Sequence, residues 1–313
     1  MAANIPIFTL NNGLKIPSVG MGCWTNYSSH KSVYNMCKTA LKVGYRHFDT
    51  AEMYGNEAAV GQAVRDSGIP RQEIFVTTKL NNDGHHRVRK AFEESLAELN
   101  IGYVDLYLMH WPQASRGGLF SAEQNATFVE TWKEMEKLLD TGKCKAIGVS
   151  NFSIKTLSEL LPHVKVVPAV NQVEMHPCLP QEELLQFCKQ KGIVMQAYSP
   201  LGQGDHRFMP YLEPIAQKYT KSLGKQVSTA QIALSWLVQR GVVVLPKSEN
   251  EGRMKANIDL IELHDEDMAA VSAIHKKPGM HRSLCGYHSS DGSVFGWSYE
   301  KLGWNFKKGG VIS

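Results

Sequence analysis

Residues 18–25, Ser-Val-Gly-Met-Gly-Cys-Trp-Thr, decide between two α/β folds. Ser18–Gly22 reads as a short apolar strand carrying a glycine pair at Gly20 and Gly22. An open, doubly wound sheet that binds a dinucleotide places Gly-x-Gly-x-x-Gly here, because the backbone must approach a pyrophosphate closely. Thr25 stands where the third glycine belongs, so that fingerprint fails. Upstream, Ile7–Leu10 and Leu14–Ile16 flank Asn11-Asn12-Gly13, and an Asn-Gly turn between apolar runs predicts a hairpin. Downstream, apolar runs recur at His47–Asp49, Ile74–Lys79, Val104–His110, Ala146–Val149, Ala169–Glu174, Ile193–Tyr198 and Val242–Leu245. Helical patterns lie between them at His30–Val43, Asn56–Ser67, Arg87–Leu99, Asn125–Thr141, Ile154–Leu161, Glu182–Lys191 and Ser228–Arg240, and Asn250–Ile258 follows the last run. Alternating strands and helices with continuous apolar strands imply a parallel sheet buried on both faces. Eight such units without the fingerprint predict a closed (β/α)8 barrel rather than an open sheet. No linker or low-complexity stretch divides the chain, so residues 1–313 are read as one domain, with residues 1–17 as a hairpin at the barrel bottom.

Composition excludes several classes. The net charge of +4 comes from 34 basic and 30 acidic residues spread along the chain, which does not call for nucleic acid. The local runs His85–Lys90 and Lys307-Lys308 read as solvated faces. Six cysteines show no Cys-x-x-Cys pair, which fits a reducing, cytoplasmic setting better than a disulfide framework or a zinc knuckle. No apolar run approaches the ~18 residues of a membrane span. The expected partner is a small molecule, and the expected state is a monomer.

A barrel puts its chemistry at the carboxyl ends of its strands. Four polar groups end or follow apolar runs there: Asp49, Tyr54, Lys79 and His110. Each has a plain reading, such as a helix cap, a packed phenol, a snorkelling lysine or a core histidine. Together they converge on one mouth. A lysine buried at a strand end needs a carboxylate partner. An ammonium beside a phenol favours the phenolate and is expected to lower the tyrosine pKa from ~10. Such a phenol protonates a developing alkoxide, as carbonyl reduction requires. In this reading Asp49 holds Lys79, and His110 orients the carbonyl oxygen.

The segments Asp49–Glu57 (DTAEMYGNE), Thr77–Leu80 (TTKL), Leu108–Pro112 (LMHWP), Gly148–Phe152 (GVSNF) and Ala197–Gly202 (AYSPLG), with Pro246-Lys247-Ser248 and Arg253, occur in the order that resembles the aldo-keto reductases. The resemblance covers essentially the whole chain. It implies the tetrad of Tyr54, Lys79, Asp49 and His110, and NADPH lying extended across the barrel mouth. It further implies that Ser150, Asn151 and Gln172 hold the nicotinamide carboxamide and that Tyr198 stacks on the ring. Ser199, Leu201, Asn250 and Asn257 are implied as further cofactor contacts. Lys247, Ser248 and Arg253 flank a helix N-terminus, which suits a phosphate on physical grounds and matches the family's pocket for the 2′-phosphate. Ser248 and Glu251 have the spacing of a capping box. Glu249 stands where the family commonly carries an uncharged residue, and repels a phosphate if it faces inward. Ala256 replaces a frequent acid near the adenine, and the loop Ser199–Pro210 looks short.

By the same resemblance residues 276–313 fold over the mouth and select substrates. Trp24 and Trp111 are expected as aromatic walls, and Asn81, where many relatives carry tryptophan, as a polar one. Hydroxylated aldehydes such as aldoses or glyceraldehyde are the expected substrates. Arg116 or Arg282 pairing with a carboxylate would make the protein a uronate reductase, and both also read as exposed surface arginines. A metal-dependent barrel hydrolase would need a His-x-His, which the twelve histidines do not supply. A barrel that binds NADPH without catalysis is a further alternative, against which the complete tetrad argues.

Overall fold

The computed structural model describes residues 5–26, 28–115 and 126–312. The chain opens with a hairpin, β1 (Ile7–Thr9) and β2 (Lys15–Pro17). The barrel units follow: β3 (Met21–Gly22) with α1 (His30–Val43), β4 (His47–Asp49) with α2 (Glu57–Asp66), β5 (Phe75–Leu80) with α3 (Val88–Leu99), and β6 (Leu106–Met109) with α4 (Phe128–Glu136). The second half comprises β7 (Ile147–Ser150) and α5 (Ile154–Leu160), β8 (Val170–Glu174) and α6 (Glu182–Gln190), β9 (Val194–Tyr198) with α7 (Met209–Leu223) and α8 (Thr229–Gln239), then β10 (Val243–Leu245) and α9 (Glu251–Ile258). Beyond them come α10 (Asp265–Ser272) and a tail holding β11 (Ser293–Val294), β12 (Trp297–Ser298) and the short α11 (Tyr299–Leu302).

The eight strands β3–β10 pair in parallel in chain order. The ends of that row meet across a seam: Val19 bridges Val244, and Gly20 N–H and Val244 N–H donate to Val244 O and Ser18 O at 2.8 Å. This is a (β/α)8 barrel with an N-terminal hairpin. Inside it, Phe75, Leu106, Leu108, Ala146, Val170 and Val243 cluster with Leu10 and Ile16, so the hairpin packs on the interior residues near the strand starts. Alternate strand residues, among them Phe48, Val76, Tyr107, Met109 and Val173, join the second core beneath the helices. That period of two fixes which side chains face the axis.

Local signals set most helix ends. Ser29 accepts a bond from Ser32 N–H at the start of α1, and Gly44, at φ 115°, ends it. The predicted single helix Asn125–Thr141 is instead α4, capped by Thr127 and Glu130 in a capping box, followed by a separate 3-10 turn at Leu139–Thr141. Two helices, α7 and α10, had no counterpart in the sequence reading. Pro210 and Pro214 read as breakers, but Pro210 sits in the first turn, where a missing N–H costs nothing. Leu212, Ile215, Ala216 and Tyr219 then bury one face of α7. The run at His85–Lys90 is only partly a solvated face: Arg87 pairs with Glu52, Asp83 and Glu94, whereas His85 is buried and bonded to Thr131. No helix among the described residues is long and apolar enough to cross a membrane.

Candidate active site

Register brings the four polar groups together. Asp49 pairs with Thr77, and Lys79, two residues on, shares the inward face of β5. Lys79 pairs with Leu108, which puts His110 on the same inward row just past β6. Lys79 is fully buried, and its Nζ donates to Asp49 Oδ1 at 2.6 Å, Thr50 O at 2.8 Å and Tyr54 Oη at 3.3 Å. Tyr54 ends a 3-10 turn (Glu52–Tyr54) stopped by Gly55 at φ 61°. Its ring stands edge-on to His110, with centroids 5.6 Å apart, and 5.1 Å from Trp24.

Burial dominates the electrostatics. It works against the Lys79 ammonium, but the combined pull of Asp49 and Tyr54 leaves its pKa above the ordinary value. Burial raises the Asp49 carboxyl against the pull of Lys79 and of Gln172, which donates to Oδ2 at 2.7 Å. Burial also raises the Tyr54 phenol, against the downward pull of Lys79. This corrects the sequence expectation of a lowered tyrosine pKa: one ammonium does not offset the loss of water around a phenolate that also faces Asp49. Burial, then the Lys79 charge, holds His110 well below the usual histidine range, so its imidazole is neutral at physiological pH. Its buried Nδ1 has no hydrogen-bond partner among the described residues.

A cleft of about 1670 Å³ runs from this cluster across the barrel mouth to α9. At one end lie Trp24, Tyr54, His110, Trp111, Tyr287 and Phe295; Asn151, Gln172, Tyr198, Ser199 and Leu201 line the middle, and Lys247, Ser248, Asn250, Arg253 and Asn257 the far end. The middle group is already bonded within the protein. Ser150 is fully buried behind the cleft wall, its Oγ donating to Gln172 O at 2.8 Å, and Gln172 Nε2 donates to both Asp49 and Gln196. Asn151 Nδ2 donates to His110 O at 2.9 Å, and Tyr198 Oη lies 2.7 Å from Asn151 Oδ1. At the far end the expected capping box does not form. Asn250 caps α9 by accepting from Arg253 N–H, Ser248 Oγ accepts from Asn250 N–H, and Glu251 pairs with Lys255 and Lys42. Asn is as good a cap as Ser and stands one residue before the helix, so the box loses.

Two expected substrate residues fall elsewhere, and a third lies outside the described residues. Asn81 is absent from the cleft walls, its side-chain Oδ1 accepting from Asn82 N–H in the 3-10 turn that follows. Arg282 lines a separate cavity of about 240 Å³ with Asp205, Arg207 and His288. Arg116 lies outside the described residues. Around the cleft head, Trp111 packs edge-on against Phe295 at 4.9 Å and Tyr287 at 5.3 Å, so the tail adds aromatic rings to the Trp111 side.

Sequence reasoning passed over Glu174, Gln196, Gln113 and Tyr287. Glu174 is buried at the end of β8 and accepts from Leu284 N–H and Ser283 Oγ at 2.6 Å, Tyr287 Oη at 2.7 Å and His176 Nε2 at 2.8 Å. Burial works to raise its pKa, but the bonds from His176, Ser283 and Tyr287 outweigh it and hold the carboxyl at about 2. A carboxylate ending an apolar strand was the signal that found Asp49, and it applied equally here. Gln113 Nε2 donates to Val294 O, a second tie from the barrel to the tail.

A buried ammonium–carboxylate–phenol cluster at the head of a long cleft, on a parallel barrel, is the architecture of an oxidoreductase, and comparison with known proteins agrees. The aldo/keto reductase family profile matches residues 18–276, and the chain belongs to that family. It is 46% identical to glycerol 2-dehydrogenase (NADP(+)) of Saccharomyces cerevisiae, over 88% of this chain and 93% of that one. It is 42% identical to D-galacturonate reductase of Hypocrea jecorina, over 85% and 89% of the two chains. Among solved structures it superposes on a Bombyx mori aldo-keto reductase in complex with NADP, with TM-score 0.80 and 36% identity, covering 87% of this chain and 93% of that one.

Proposed function

We propose that the protein reduces aldehydes to alcohols with NADPH, Tyr54 serving as the general acid. The observation that carries this is Lys79 Nζ, in contact with both Asp49 and the Tyr54 hydroxyl beside His110. The cleft fits an extended dinucleotide. Ser150, Asn151, Gln172 and Tyr198 would hold its nicotinamide end, and Ser199 and Leu201 its middle. Lys247, Ser248, Asn250, Arg253 and Asn257 would take the phosphates at the N-terminus of α9, where backbone donors and the helix dipole favour anions. The bound cofactor supplies the hydride. His110, neutral and lining the cleft beside Tyr54, orients the carbonyl oxygen toward the Tyr54 hydroxyl. Tyr54 gives that oxygen its proton as charge develops, and Lys79 stabilises the phenolate left behind. Asp49, itself held by Gln172, keeps the Lys79 ammonium charged and aimed. The buried phenol stays protonated until that charge appears, which suits an acid better than a base.

Tyr54→Phe tests the assignment. Turnover is expected to fall by about 10²- to 10⁴-fold, with NADPH binding, followed by fluorescence titration, retained. Unchanged turnover would remove Tyr54 from its role.

The aromatic walls, and the relative named for glycerol, support small uncharged hydroxyaldehydes that lay a C–H face on a ring. The likeness to a galacturonate reductase supports the second reading, a uronate substrate, for which Arg116 is the remaining candidate now that Arg282 lines a separate cavity. NADPH consumption with D-galacturonate beside D-xylose and glyceraldehyde separates them. Equal or better turnover of the neutral sugars is expected; a uronate preference abolished by Arg116→Ala would establish the second reading instead. With its six cysteines buried and unpaired, the protein is expected to work as a monomer in a reducing, cytoplasmic compartment.

A further inference from the structure

Glu174, Tyr287, Tyr198 and Asn151 form one line of oxygens from the root of the tail to the middle of the cleft. The contacts are 2.7 Å from Glu174 Oε2 to Tyr287 Oη, 3.0 Å from Tyr287 to Tyr198, and 2.7 Å from Tyr198 to Asn151 Oδ1. Both ends of the line accept only. Asn151 is oriented by its amide nitrogen, which donates to His110 O, so its oxygen must face Tyr198. Glu174 receives Leu284 N–H, His176, Ser283 and Tyr287, a donor set that suits only a carboxylate. Three contacts are therefore served by two phenolic hydrogens. When Tyr287 donates to Glu174 and Tyr198 donates to Asn151, nothing lies between the two phenol oxygens.

One repair of that deficit lies at the cleft end. If another donor takes Asn151 Oδ1, the Tyr198 hydrogen turns to Tyr287 and the line from Tyr198 to Glu174 is complete. The proposed nicotinamide end carries such a donor in its carboxamide NH₂. We propose that Glu174 is a positioning residue that latches the C-terminal segment over the mouth, and that the Tyr287–Tyr198 contact couples this latch to occupancy at Asn151. The inference rests on the reading that the cleft takes NADP(H) with its nicotinamide beside Asn151. Loading the cofactor thus seats the wall that contains Tyr287 and Phe295, and by reciprocity a seated tail strengthens cofactor binding.

Hydrogen exchange of backbone amides in residues 283–312, with and without NADP⁺, tests this. In the wild-type protein NADP⁺ is expected to slow exchange of the tail by about two- to tenfold, the factor one hydrogen bond is worth. Adenosine 2′,5′-bisphosphate, which lacks the nicotinamide, is expected to bind without that slowing. Tyr287→Phe keeps the ring against Trp111 but loses the hydroxyl; NADP⁺ should still bind it, with the slowing abolished. Glu174→Gln should leave the tail fast-exchanging even before ligand is added, and Glu174→Asp should restore part of the protection. Equal slowing in Tyr287→Phe and wild type would overturn the coupling, as would equal slowing by the bisphosphate. NADP⁺ binding without any slowing overturns this inference alone, whereas no NADP⁺ binding at all overturns the cofactor reading and this inference with it.

Discussion

Lys247 reaches the mouth of the cleft already paired, its ammonium 2.6 Å from Glu249. The sequence reading had marked Glu249 as a repulsive element if it faced inward, and the structure lines the cleft with it. The carboxylate neutralises part of the charge that Lys247 and Arg253 would offer a 2′-phosphate. Glu249→Gln is therefore expected to tighten NADPH more than NADH. An exposed pair is worth ~1 kcal/mol at most, so a gain of up to about fivefold in NADPH affinity, shrinking as salt rises, is the expected titration result. Residues of this kind were legible because charge and spacing alone decide them. Asn81 was not, since its local turn hydrogen bond outcompeted the cleft, and nothing in the residue type distinguishes those two fates.

At the scale of elements, the barrel strands after the first were read to within two residues because each carries an apolar run bounded by turn residues, whereas β3 begins three residues later than read. Helix α7 was missed because two prolines hid an apolar face, and α10 because three acids in its first turn mask a weak stripe. One contact between elements carries a measurable penalty. Glu57, in the first turn of α2, is buried against Thr78 of β5, which donates to it, and Ser95 of α3. Burial, opposed by these two hydroxyls, raises its pKa to about 7. Below the ordinary carboxyl range both folded and unfolded chains hold this proton. As pH rises from about 4.5 to about 7 the unfolded chain releases it first, so stability falls through that window. Glu57→Gln should remove the loss: its unfolding free energy relative to wild type, measured by urea titration, is expected to rise between pH 5 and pH 8, by on the order of 3 kcal/mol at full effect. A constant difference across that range would place the ionisation elsewhere.

At the scale of the whole molecule, the closed barrel was readable as a count of units without a nucleotide fingerprint, whereas the residues that meet at its seam were not, since no local pattern records them. The same glycines that failed to make a fingerprint turn out to serve that closure. A Cβ on Gly22 would lie 2.8 Å from the Leu245 carbonyl oxygen, and one on Gly20 as close to Leu245 and closer still to His47. Gly22→Ala must push the seam apart and is expected to destabilise by about 1–3 kcal/mol. A lower midpoint in urea with an unchanged slope is the result that checks it; an unaltered midpoint would show that the seam yields at no cost.

The seam also has a bearing on how the molecule comes into being. Its first strand finds its last partner only when residue 244 is available, more than two hundred positions later on the chain. A ribosome adding about 5–20 residues each second leaves β3 with one unpaired edge for some ten seconds or more. During that interval Val19 and Met21, fully buried at the end, are exposed to any passing chain. The hairpin β1–β2, made of near neighbours, forms early and lays Leu10 and Ile16 where the interior will assemble. The plug at the base of the barrel is thus also the part of the nascent chain best placed to guard its opening strand until the circle closes.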